Sequence, residues 1–115
     1  SIGNLGQYGF HYMSKGTVCI EGNTLIRLGA ELRSGSITLN GDTQNFLGQY
    51  MRGGEISVYG HAKKNVGNNM KGGTIELLGE YESISPKCKY GTITHQGKII
   101  FHKEPGYRRI FRRNR

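Results

Sequence analysis

Serines, histidines and a recurrent set of cations are the residues through which this 115-residue chain could act on another molecule. Ser83, Ser85 and His95 lie close together in sequence. A hydroxyl beside an imidazole is the starting point of acyl transfer, and glycine-rich turns could offer N–H groups to an oxyanion. That chemistry would make the chain a stand-alone ester hydrolase, but no Gly-x-Ser-x-Gly elbow is present. Arg33, Arg52, Lys71 and Lys89 recur at steps of nineteen, nineteen and eighteen residues. Cations repeated in this way would meet an anionic surface, and the plainer reading is a polar corner left in water. At the C-terminus Arg108, Arg109, Arg112, Arg113 and Arg115 supply five of the net +8 charges and alternate with Tyr107, Ile110 and Phe111. Arginine neutralises phosphate and aromatic rings stack on bases, so one reading is an RNA-binding arm. The competing reading is a solubilising tail or a cap.

Other signals are weaker. Gly48-Gln-Tyr-Met-Arg-Gly-Gly54 looks superficially like a phosphate loop, but no Gly-Lys-Ser/Thr follows it. The two cysteines, Cys19 and Cys88, are too few for a zinc site. His11 and His61 fall in predicted loops, away from His95 and His102, so no metal set converges.

The elements that must position these residues are set by glycine. Gly22, Gly41, Gly60 and Gly79 are nineteen residues apart, and Gly97 follows after eighteen. Gly16, Gly35, Gly54, Gly73 and Gly91 run in phase with them, and Gly29, Gly48 and Gly67 form a shorter third set. A fixed period of this length means a repeat architecture, with the same bend stacked on itself. Between the first two sets each unit alternates apolar and polar residues, as a strand with one face inward does. Val18, Ile37, Ile56, Ile75 and Ile93 form one inward column; Ile20, Leu39, Val58, Leu77 and His95 form the second. Leu28, Leu47 and Val66 suggest another inward wall, and Met13, Leu32, Met51, Met70 and Cys88 an inward corner.

Nineteen residues are too few for a helical crossover between parallel strands. The predicted fold is all-β: a single-stranded right-handed parallel β-helix (β-solenoid) of about five coils of 19 residues. Residues 1–12 read as a lead-in or cap, 13–101 as the β-helix, and 102–115 as a C-terminal cap and basic tail. Lys98-Ile-Ile-Phe-His102 reads as the start of a sixth coil, stopped by Glu104-Pro-Gly. On adjacent coils His95 and His102 would approach as a ligand or acid–base pair. The alternative leaves His95 half-buried at the last coil and bonded to backbone.

Composition sets limits. Glycine, 19 of 115 residues, far exceeds ordinary usage, as repeated corners require. No run of eighteen apolar residues exists, so no transmembrane helix is expected. The first residues lack a basic start and an apolar core, so no signal peptide is visible. Cys19 should face outward and Cys88 inward, which argues against a disulfide and for a reduced, cytoplasmic protein. Open strand edges at the ends of a short stack favour a homodimer or a protein partner covering one end.

The segment Lys64-Asn-Val-Gly-Asn-Asn-Met-Lys-Gly-Gly-Thr-Ile-Glu-Leu-Leu-Gly79 resembles the Gly-x-Gly-x-Gly solenoid repeat. That repeat occurs in the solenoid subunit of formylmethanofuran dehydrogenase and in the C-terminal domain of the glutamate synthase large subunit. Thr94-His-Gln-Gly-Lys-Ile-Ile100 is similar to the closing segment of that dehydrogenase polypeptide. The resemblance implies a structural or accessory β-helix in an oxidoreductase complex of C1 metabolism, as in methanogenesis. It implies no cofactor bound by the chain itself. A molybdenum or tungsten pterin and iron–sulfur clusters would sit in partner subunits. Some short relatives are regarded as ester hydrolases of the tributyrin esterase kind. The Ala-Gly usual after each strand is here Asp42-Thr43 and His61-Ala62, and the Arg-rich tail lies outside the pattern.

Overall fold

A computed structural model describes residues 16–23 and 28–105. The lead-in, Met13 and the basic tail lie outside the described residues. Six strands form one sheet in chain order: β1 Thr17–Glu21, β2 Ser36–Asn40, β3 Glu55–Val58, β4 Lys71–Leu77, β5 Tyr90–His95 and β6 Lys98–Lys103. No helix occurs among the described residues. The first five strands pair in parallel, each with the next. Parallel neighbours one lap apart are the mark of a β-solenoid, and the four pairings make about four turns.

The inward columns stack as their alternation demands. Val18 lies against Ile37, Ile37 against Ile56, Ile56 against Ile75 and Ile75 against Ile93. The second column runs Ile20, Leu39, Val58, Leu77, His95 in the same way. Leu28, Leu47 and Val66 are buried on a second wall, with Leu32, Met51 and Met70 buried at the corner between. Thr43 and Ala62 add a further buried row that the alternation did not reveal, and Tyr81 continues it as the partner of Ala62. Its signal is a small residue two places after the corner glycine.

Two glycine sets bend the chain for different reasons. Gly54 has φ +81°, a left-handed conformation that side chains disfavour. Gly60 has no such φ, but a Cβ there would collide with the Gly41 carbonyl of the preceding coil. Gly16, Gly35, Gly54, Gly73 and Gly91 are needed for conformation, whereas Gly41, Gly60 and Gly79 are needed for close approach of backbone to backbone; Gly22 and Gly97, at the two ends, have φ of +117° and +87°. Side chains also lock the coils. Asp42 N–H donates to Asn23 Oδ1 at 2.8 Å, and His61 N–H to Asp42 Oδ1 at 2.7 Å.

The bottom of the stack departs from the expected sixth coil. β6 turns back and pairs antiparallel with β5, Ile93 facing Phe101 and His95 facing Lys98. Only Gln96 and Gly97 join the two strands, with φ of +51° and +87°. Two central residues with positive φ make the tight hairpin turn whose twist suits antiparallel strands. Phe101 then packs, half-buried, on the core beneath Ile93.

Candidate functional site

The corner that buries Leu32, Met51 and Met70 must expose the residue after each, because successive side chains alternate. Those residues are Arg33, Arg52 and Lys71, and all are exposed. The shortened last coil adds Lys89. The Arg52 and Gly53 amides both donate to the Leu32 carbonyl, and the Lys89 and Tyr90 amides both donate to the Met70 carbonyl. Lys89 therefore takes the slot of Arg52. The strand ladder pairs Lys71 with Tyr90 instead, but a bulge starts at that point, so the hydrogen bonds define the corner better. The four cations form one row down the stack, one per coil from the second to the fifth; Ser14 holds that position in the first repeat and lies outside the described residues.

No carboxylate pairs with this row among the described residues. The close carboxylate contacts found there set His61 3.8 Å from Glu82 and His102 3.7 Å from Glu104. Rungs of a sheet lie about 4.8 Å apart, so like charges repel along the row, screened by water and salt. At the foot the row meets two open clefts. One, of about 500 Å³, is lined by Asn69, Pro86, Lys87, Cys88, Lys89, Tyr90 and Lys103. The other, of about 300 Å³, runs from Lys71 and Thr74 to His102, Lys103 and Glu104. Tyr90 and Lys103 line both. Sequence periodicity missed Lys103 because it makes β6 the start of another coil. The two-residue Gln96-Gly97 link between apolar runs was the available signal.

The residues considered for catalysis are engaged separately. Ser83 Oγ accepts from the Asn65 amide at 3.1 Å. Ser85 is buried, donates to Asn68 Oδ1 at 2.8 Å and accepts from the Lys87 amide at 3.0 Å. His95 Nε2 lies 3.0 Å from the Gly79 carbonyl oxygen, with the ring edge-on to Tyr81. No hydrogen bond joins His95 to either serine among the described residues. His95 is thus half-buried and bonded to backbone, the alternative weighed above, and His102 does not join it, because the hairpin sets His102 opposite Thr92, with Nδ1 2.8 Å from Thr92 Oγ1. Both cysteines are free, Cys19 exposed and Cys88 half-buried. Burial pushes the Cys88 thiol up to about 11, which keeps it protonated and unreactive at neutral pH. Among the described residues no group of three or more His, Cys, Asp or Glu is placed to hold a metal ion.

The chemistry this arrangement offers is long-range attraction for anions along one edge. The tail arginines Arg108, Arg109, Arg112 and Arg113 lie outside the described residues, but the chain enters that segment from Pro105, which lines the smaller cleft. No family model matches the chain, and no curated protein or solved structure matches it either.

Proposed function

We propose that this chain is a non-catalytic scaffold, an accessory subunit whose basic corner docks an acidic face of a partner protein. One observation carries the reading: Arg33, Arg52, Lys71 and Lys89 stack in register, exposed and without a carboxylate partner among the described residues. A corner kept polar only for solubility would gain from alternating signs, since opposite charges facing across strands stabilise and like charges destabilise. Keeping one sign on four successive coils makes sense where a second surface supplies the other.

The resemblance of Lys64–Gly79 to the Gly-x-Gly-x-Gly repeat gives the partner's class. In formylmethanofuran dehydrogenase the pterin-bound metal and the iron–sulfur clusters belong to other subunits. In the glutamate synthase large subunit the solenoid packs between catalytic domains. On this reading the chain holds no cofactor, and its partner is a redox protein that does.

The test is co-purification from the native lysate, followed by native mass spectrometry and metal analysis. The wild-type chain should carry a metal-containing protein that is lost on high-salt washing and absent with the Arg52→Glu/Lys71→Glu double variant. Retention of the same partner by the double variant would overturn docking at this corner. A wild-type chain that emerges with no protein partner would overturn the accessory role.

A further inference from the structure

We infer that the part of the partner lying along this corner is an α-helix with acidic side chains at three- and four-residue intervals. This rests on the docking reading above and adds the geometry of the ligand. The row has a fixed repeat. Each cation sits one parallel rung below the last, since the Arg52, Lys71 and Lys89 amides bond the carbonyls of Leu32, Met51 and Met70. Rungs are about 4.8 Å apart, so the four cations span about 14 Å.

A matching anion array needs nearly the same repeat. One helical turn advances 5.4 Å, so a helix stripe drifts from the rungs by only about 0.6 Å each and about 2 Å over the row. Arginine and lysine side chains absorb that easily. Same-face residues of an extended strand are about 6.7 Å apart, a drift of about 6 Å over the row, which exceeds one rung. Phosphates of a stacked nucleic acid strand rise about 3.4 Å each along the helix axis and turn away from any one face, drifting about 4 Å the other way over the row. Carboxylates at i, i+4, i+7 and i+11 therefore meet the four cations in turn, along about three turns of helix.

The positions beside the row carry little side chain. The position after each cation is Ser34, Gly53, Gly72 and Tyr90. At positions 53 and 72 a Cβ would meet the Arg33 and Arg52 carbonyls of the coil before, so these glycines leave no side chain beside Arg52 and Lys71, and Tyr90 stands at the foot of the row. There Lys103, delivered by the antiparallel β6, adds positive charge beyond Lys89.

The full chain is the receptor and fluorescence anisotropy the readout; the probes are two helical peptides of equal composition, an extended peptide with the same number of glutamates, and an oligouridine. One peptide is helical with its glutamates in a single i, i+4, i+7, i+11 stripe. A second is helical with the same glutamates spread round the axis. A third is kept extended by proline, and an oligouridine is the fourth probe. The striped helix should bind about tenfold more tightly than the spread helix at low salt, weaken as salt rises, and lose most of its affinity to the Arg52→Glu/Lys71→Glu variant. Equal binding of striped and spread helices would overturn the inference. So would tighter binding of the extended peptide or of oligouridine. The circular dichroism spectrum of the variant must match wild type, so that lost binding is not lost folding. If the native partner depends on Arg52 and Lys71 but the striped helix has no advantage, the helix inference alone falls. If the striped helix wins and the native partner ignores the charge reversal, the docking function falls instead.

Discussion

Valine at position 54 would have to adopt a φ of +81° and place its Cβ about 2.8 Å from the Gly35 carbonyl oxygen. The left-handed conformation costs roughly 1–2 kcal/mol and crowding adds a comparable amount, so Gly54→Val should lose about 3 kcal/mol or more. Glu55→Ala next to it, on the exposed face, should change stability by less than about 0.5 kcal/mol. Gly97 separates the two penalties. It has φ +87° but nothing within 4 Å of a Cβ, so Gly97→Ala should cost only about 1 kcal/mol. Urea unfolding of the three variants checks the order, and equal losses at 54 and 55 would refute the corner geometry. These positions were legible because glycine recurs at one phase whichever constraint selects it. Which constraint acts at which set was not legible, since spacing carries no information on φ or on backbone contact. The left-handed Glu31, Tyr50 and Asn69, one per coil, also escaped notice because their residue types differ.

At the scale of the strand, the inward columns could be read in advance because two periods agree, two residues within a strand and nineteen between strands. Outward positions such as Cys19 could be placed by the same alternation, but most carried no signal of a role, because side chains facing water obey no common type. The basic corner was legible from spacing alone, yet its clefts were not, since they depend on where β6 goes. The row itself makes a prediction about stability. If the four cations repel, Arg52→Glu would create favourable contacts with Arg33 above and Lys71 below. It should leave the fold intact and raise the unfolding free energy by a few tenths of a kcal/mol at low salt. In about 1 M salt, where the Debye length is about 3 Å, that gain should vanish. Urea titrations at the two ionic strengths measure it. A loss of stability at low salt would mean that Arg52 is held by an attraction, and the case for a row kept for a partner would weaken.

The whole molecule is a stack in which each coil touches only the coil above and below, so its stability is a sum of neighbour terms rather than one central core. The middle coils, with Ile56 and Ile75 fully buried, have neighbours on both sides. β6 is different: Ile99 is 67% exposed, and its pairing to β5 is interrupted by an irregularity at Ile93/Thr94. Its flanking Lys98 and Lys103 are the kind of residue that discourages further strands from adding to an edge. The hairpin thus ends the solenoid, with Phe101 as the half-buried contact that attaches it. Native-state hydrogen exchange should grade accordingly, slowest in β3 and β4 and fastest in β6. Phe101→Ala should speed exchange in β5 and β6 and leave β2 and β3 near their wild-type rates. Ile56→Ala, which removes a fully buried side chain at a cost of roughly 2–5 kcal/mol, should speed exchange throughout the sheet. If Phe101→Ala instead weakened every strand equally, the end hairpin would be part of one cooperative unit, and the account of it as a separable cap would be wrong.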